Sequence, residues 1–286
     1  AVFLERDEAN SYQLSASEFK RIPGSPVAYR ASTAVLNVFS THTPIKDVLP
    51  VRVGMSTGDT PRFVRLWHEV DRQSFGPACE NRESATDSPC RWFPYNKGGA
   101  VRKWYGNNEY VVLWENDGQV IKDQKATDLQ EGKITANNSK CWNEDFYFEP
   151  SVNWTKVAIT FSARVSDAGS IFSDASNGLF AGNVRDSYVA ALNSNVSAEL
   201  LRFIAPTLNF QAGDISSLPA PPRDVAGAAG STASELVARS RADWDAFERS
   251  WDFQSLPLLS ASTDPNPTLE SSYTAWIANN KQTIAE

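Results

Sequence analysis

The spacing of apolar and polar positions changes period along this chain. STAVLNVFS (32–40) places Val35, Leu36 and Phe39 at helical spacing, with Ser32 or Thr33 as the N-cap. The period then falls towards two. LPVRVGM alternates, and in RFVRLWHEV the residues Phe63, Arg65, Trp67 and Glu69 alternate with Val64, Leu66, His68 and Val70, as a half-buried strand would. STGDTP between these runs has the composition of a turn. EYVVLWE (109–115), WTKVAITFSARV (154–165) and GSIFS (169–173) are further predicted strands, and NDG after the first is a predicted turn.

The helical period returns at VRDSYVAALNSNVSAELLRFIAP (184–206), which predicts one or two amphipathic helices broken near Asn193-Ser194-Asn195. DVAGAAGST reads as a linker by its Gly and Ala content. Beyond it, SELVARSRADWDAFERSWDF and LESSYTAWIANNKQ read as helices. The sum is an α+β protein: a twisted β-rich body with long loops, followed by amphipathic helices. The expected divisions are a lead-in segment with a short helix at 1–45, the body at 46–222 and a helical extension at 223–286.

Composition narrows the class. The 286 residues suit one large domain, or one with an appendage. An apolar fraction of 41% and a charged fraction of 21% exclude wholesale disorder. No apolar run approaches the roughly 20 residues a bilayer span needs. The opening AVFLERDEANSYQ has acids where a signal peptide needs bases, and no Met; it reads as a chain entered in mid-sequence. Cys79, Cys90 and Cys141 are odd in number and irregular in spacing, which argues against a disulfide framework and for the reducing cytoplasm.

Charge is unevenly placed on a chain of net −7. Residues 52–103 hold nine Lys/Arg against six Asp/Glu, a local +3, whereas residues 220–286 hold five against nine, a local −4. An acidic total disfavours nonspecific polyanion binding, but a basic segment permits one cationic face.

Familiar catalytic signatures are missing. The sequence has no phosphate loop, no Gly-x-Gly-x-x-Gly after a strand and no Gly-x-Ser-x-Gly elbow. His42 and His68 are the only histidines, and with Cys79 and Cys90 they form no zinc-knuckle spacing. Glu144, Asp145 and Glu149 crowd one segment; they read as a solvated loop before an acid pair for hydrolysis.

Two stretches carry candidate binding chemistry. In GMSTGDTPRFVRLWHEV (54–70), Ser56, Thr57, Arg62 and Arg65 combine hydroxyls, a Gly-rich turn and guanidiniums, a set that grips phosphates; the bland alternative is a turn with surface arginines. In WFPYNKGGAVRKWYGNNEYVVLWENDG (92–118), Lys97, Arg102 and Lys103 are candidates to neutralise phosphates. Tyr95 is a candidate to pack on a sugar or base, and Asn96 stands beside them. Gly98-Gly99 permits positive φ and close approach. Trp92, Trp104 and Trp114 read as core aromatics, with Trp92 and Phe93 bracing the fold.

These two stretches, with NWTKVAITFSARVSDAGSIF (153–172) and YVAALNSNVSAELLRFIAPTLNFQAGDISSLP (188–219), resemble one family in order and spacing. It is the C-terminal region of PglX-type adenine-specific DNA methyltransferases of BREX phage-defence systems, a module shared with the DISARM adenine methyltransferase. The resemblance covers roughly residues 20–275. The PYNKGG…RKWYGN…WENDG block is specific, whereas LNS…GDI…LP is looser and recurs in target-recognition domains of type I specificity subunits.

The resemblance implies that an N-terminal half of the parent protein carries the S-adenosylmethionine site and an Asn-Pro-Pro-Tyr motif. This chain has no such motif and is expected to bind no cofactor itself. It would be the target-recognition part, with Ser56, Thr57, Arg62, Arg65, Tyr95, Asn96, Lys97, Arg102 and Lys103 on DNA. Its partners would be double-stranded DNA, the methylase domain and other phage-defence proteins or a phage inhibitor, with no membrane. Trp244, Phe247 and Trp251 would form the stripe by which the tail packs on the body or the methylase domain. Two other readings stay open: a β-rich carbohydrate- or protein-binding module, and an acid-pair hydrolase.

Overall fold

The computed structural model describes residues 15–285; the first part of the expected lead-in segment lies outside the described residues. The alternating runs fold as short strands: β1 (Val51–Arg52), β2 (Val64–Leu66), β3 (Trp92–Asn96), β4 (Tyr110–Leu113), β5 (Ser151–Trp154), β6 (Ala163–Ser166), β7 (Ile171–Phe172) and β8 (Gly178–Leu179). The helices are α1 (Ala16–Phe19), α2 (Thr33–Thr41), α3 (Thr60–Phe63), α4 (Arg82–Asp87), α5 (Glu115–Gln130), α6 (Arg185–Asn193), α7 (Asn195–Ile204), α8 (Ala212–Ser217), α9 (Arg223–Asp245), α10 (Pro257–Ser260) and α11 (Leu269–Ala285). The class is α+β as expected, with 45% helix and 13% strand in two small sheets.

Local chemistry explains where the elements start and stop. Ser32 caps α2 by accepting from the Val35 amide, and Ser194 both ends α6 and caps α7, the expected break. RFVRLWHEV is a strand only over β2. Before it, Asp59 caps α3, with Pro61 in the first turn; after it, Trp67–Glu69 closes into a 3₁₀ turn. WTKVAITFSARV is likewise two strand ends, β5 and β6, joined by a loop that leaves Val157 and Ile159 exposed.

Two helices replace predicted irregular chain. At NDG, Asn116, Asp117 and Gly118 are all left-handed, and α5 continues beyond them. A side chain at Gly118 would enter the Trp114 ring, 2.4 Å from a built Cβ. DVAGAAGST lies inside α9. Its small residues serve packing: a Cβ on Gly230 would stand 3.0 Å from Ser187 of α6, and Ala233, Val237 and Trp244 of α9 enter the core. The helix ends at Asp245, so the expected stripe is split. Trp244 is buried, Phe247 is exposed and Trp251 packs edge-on against Phe75.

The sheets face different cores. The first, in order β1-β8-β5-β6, sends Val152, Trp154, Ala163, Val165 and Leu179 against helices α6 to α9. The second, in order β2-β4-β3-β7, is antiparallel except at β3–β7. It buries Phe93, Tyr95, Val112, Ile171 and Phe172 with Trp114, Ile121, Tyr147 and Phe148. Burying each large apolar side chain contributes about 1.5–3 kcal/mol. Polar residues link the sheets. Asn96 of β3 donates to Ser166 Oγ at 2.9 Å and Ser170 Oγ at 3.0 Å. Ser151 donates to Asn153 Oδ1 at 2.8 Å, and Asn153 donates to the Asn177 carbonyl at 3.2 Å. In this layer the buried polar groups are partnered apart from Asn177 Oδ1, so the layer helps fix how the two sheets meet.

Candidate functional site

The predicted site residues divide between interior and surface. Tyr95 is buried and donates to the Met55 carbonyl at 2.8 Å; burial pushes its phenol far above its ordinary range. Asn96 belongs to the layer between the sheets, and Thr57 is buried beside the second core. All three are therefore held within the scaffold. A strand ending in Tyr-Asn alternates faces, and here both faces are covered.

Arg102 and Lys103 face the C-terminal half of the chain. The Arg102 guanidinium lies over the Trp244 ring at 5.0 Å and pairs with Asp243 at 3.1 Å. Lys103 is exposed but donates to the Asn193 carbonyl at the end of α6, at 3.1 Å, where a helix terminus favours a cation. Both help hold α6 and α9 against the loop after β3.

Arg62, Arg65 and Lys97 form no ion pair among the described residues, although the charge of Asp174 acts on Lys97. Arg62 is exposed, reaches Gln124 at 2.6 Å and lies 4.9 Å over Phe63. Arg65 donates to the carbonyls of Pro61 and Val64 and lies 6.0 Å over Trp92. Lys97 lies 5.5 Å over Tyr110, and burial lowers its ammonium pKa. Strand direction puts Arg62 near one end of the second sheet and Lys97 at the other, so the cations do not make a single patch.

The Lys97 end is where several turns converge. Gly98 and Gly99 have φ of +89° and +134°. The room they leave is used by the protein itself. A Cβ on Gly98 would stand 3.1 Å from the Ala175 carbonyl, and one on Gly99 3.0 Å from the Asn107 amide. Met55 bridges to Ser173, which brings exposed Ser56 to the same turn. Thr155, at the end of β5, donates to the Gly99 carbonyl at 3.2 Å.

Beneath this turn lies Arg164, which the sequence reading did not single out. It is 3% exposed. Its guanidinium reaches only Thr155 Oγ1 and Ser176 Oγ, both at 3.4 Å. Burial pushes its pKa down to about 10, so it keeps its charge at neutral pH. Ala163 and Val165 point into the first core, which turns Arg164 to the opposite face of β6. Alternation foretold that direction, but nothing in SARV shows that another sheet covers the face.

Other constellations are occupied or open. A cleft of about 220 Å³ is lined in part by Asn96, Tyr105, Asp167, Arg241 and Asp252. Arg241 lies 4.0 Å over the Tyr105 ring, and both Arg241 and Arg185 pair with Asp167. Burial raises the Asp167 pKa, but the arginines outweigh it and hold the carboxyl below its ordinary range. Asp252 is exposed, so the cleft lacks two buried, free carboxylates. Among the described residues the exposed aromatics Tyr29, Trp142, Phe247 and Tyr273 lie on separate elements. No helix among the described residues is long and apolar enough to cross a membrane.

Comparison with known proteins places the chain. No protein-family profile matches it. The adenine-specific methyltransferase PglX of Lacticaseibacillus casei (strain Zhang) is 36% identical over 272 residues, 93% of this chain and 22% of that protein. The adenine-specific methyltransferase BrxX of Escherichia coli O9:H4 (strain HS) is 34% identical over 251 residues, 85% of this chain and 19% of that protein. The chain thus spans about a fifth of the length of these curated relatives, and it is homologous to a PglX-type region of the adenine-specific methyltransferases.

Proposed function

We propose that this chain is the DNA target-recognition part of an S-adenosylmethionine-dependent, adenine-specific DNA methyltransferase of a BREX-like phage-defence system. It holds duplex DNA in the cytoplasm while a separate N-terminal methylase domain binds the cofactor, flips the adenine and transfers the methyl group. The observation that carries this reading is the set of cations without an ion pair, Arg62, Arg65 and Lys97, on a chain with more acids than bases. Several cations that fold the protein are paired with acids, as at Arg82, Arg102 and Arg241. The unpaired ones suit phosphates, which fix register and orientation without reading sequence. Base reading then falls to polar side chains on neighbouring loops, at about 1–3 kcal/mol of discrimination per good contact.

The test is the salt dependence of duplex binding by the whole methyltransferase that contains this segment. Each phosphate contact contributes about one to the slope of log affinity against log salt. Arg62→Glu combined with Lys97→Glu should lower affinity on every sequence and reduce the slope by about two. Arg202→Glu, on the exposed face of α7, should leave both unchanged. An unaltered slope in the double variant rules out these residues as the phosphate grip.

A further inference from the structure

Gly76 is a glycine for a packing reason. Its amide donates to the Trp92 carbonyl at 2.9 Å, and the Arg91 amide donates to the Ser74 carbonyl at 2.8 Å, which sets residues 74–76 beside the start of β3. A Cβ built on Gly76 would stand 3.0 Å from Cys90 Cβ and 3.2 Å from Cys79 Sγ. The two cysteines therefore share the space that the missing side chain leaves, and atoms that close to one point are close to each other. Ser88 closes the same space. Its hydroxyl accepts from the Cys90 amide at 3.3 Å, and side-chain hydrogen bonds from Ser88 and Cys90 act on the Cys79 thiol.

Both cysteines are free thiols and both are half-buried, packed on the edge of the second core. A small reagent can reach them, unlike cysteines sealed in a core. The third cysteine is set apart. The groups that act on Cys141 are Lys125, Glu144, Lys122 and Asp117, with no cysteine among them, and burial pushes its thiol up to about 11. Packing alone asks only for small apolar side chains at 79 and 90. It does not ask for two sulfurs that meet.

We propose that Cys79 and Cys90 are a redox pair, which a small disulfide such as oxidised glutathione converts into an intramolecular disulfide. The Cys90 thiolate attacks one sulfur of the reagent, whose S–S bond breaks and releases one glutathione thiolate. Cys79 then gives up its proton and attacks Cys90 Sγ, which releases the second. The cysteines lose two electrons and two protons, and one oxidised glutathione becomes two reduced molecules. Burial pushes the Cys79 thiol up, which suits it to the second step, where its target is already held beside it. In a reducing compartment such a bond is transient and responds to the redox state. It would close the twelve-residue segment 79–90, which carries α4 and the Arg82 that pairs with Asp117 and Glu144. Oxidation would thus pin α4 to the start of β3. Neither cysteine is among the residues proposed for DNA.

The test is made on the 286-residue chain. It is incubated folded with oxidised glutathione, its remaining thiols are alkylated in denaturant, and its peptides are mapped by mass spectrometry. The expected map has Cys79 joined to Cys90 within one chain, with Cys141 alkylated. Three alkylated cysteines, a bond to Cys141, a bond between chains or a lasting glutathione adduct on either cysteine would each overturn the proposal. This map needs no substitution, so it does not depend on any variant folding. Thermal unfolding supplies the second readout. A disulfide that fits the folded chain restricts the unfolded one, and a loop of this length should raise Tm by about 5 °C, reversibly with dithiothreitol. Cys79→Ser and Cys90→Ser should each abolish that rise, whereas Cys141→Ser should keep it. An unchanged or lower Tm in the oxidised wild type would show that the bond does not fit the fold and would overturn the pair as a native modification site.

Discussion

Two groups of cations in this chain differ in what neutralises them. Arg82 of α4 and Lys122 of α5 share Asp117 and Glu144, with all four contacts at 2.8 Å or less. This square ties two helices, the left-handed turn after β4 and the segment before β5. Lys97 and Arg164 meet glycines, hydroxyls and an aromatic face instead. The first arrangement is explained by folding alone. The second is not: a buried charge with no ion pair works against stability.

The largest effect expected from this contrast falls on the paired group. Asp117→Ala leaves two cations to share Glu144. Its side chains are only partly buried, so the loss should sit near the low end for broken buried pairs, about 2–3 kcal/mol by urea unfolding. Burial pulls the Asp117 carboxyl pKa up, but hydrogen bonds from Arg82 and Lys122 outweigh it and hold it below its usual value. A depressed carboxylate contributes stability that is fully present above its unfolded pKa of about 3.9 and fades as pH falls through the folded value. Wild type should therefore lose stability on the acid side more steeply than Asp117→Asn, and by less than Asp117→Ala loses at neutral pH. Parallel acid limbs in the two proteins remove the claim that this square is a stability device.

The unpaired group should respond in the opposite sense. Arg164→Met removes a costly charge and keeps much of the volume, so stability should change by less than about 1 kcal/mol or rise. A loss as large as that of Asp117→Ala would make Arg164 structural and dissolve the contrast.

The contrast also marks what the sequence could disclose. Local signals were legible: the Ser32 cap, the β4 strand and the helix pair broken at Ser194 follow from spacing and capping. α5 was hidden because ENDGQVIKDQKATDLQ is mostly polar and opens on a left-handed turn. α9 was hidden because Gly and Ala that allow close helix packing look like linker composition. At the site, Lys97 and Arg62 stood out by charge. The burial of Tyr95 and Asn96 was not legible because β3 is covered on both faces, a tertiary fact. Arg164 was missed for the same reason, since an alternating Arg reads as solvent-facing until a second sheet lies over it.

Lys97 offers the finest test, because its replacement should move binding while hardly moving the fold. Its ammonium makes a cation–π contact with Tyr110 but no ion pair; such contacts contribute about 0.5–1 kcal/mol when partly exposed. Burial already lowers its pKa, with Asp174 pulling the other way, so the folded state gains little from the charge. Lys97→Met keeps the stem over Tyr110 and should change unfolding stability by less than about 0.5 kcal/mol. Duplex affinity of the whole methyltransferase should fall, with the salt slope lower by about one. An unchanged affinity and slope would remove Lys97 from the phosphate contacts.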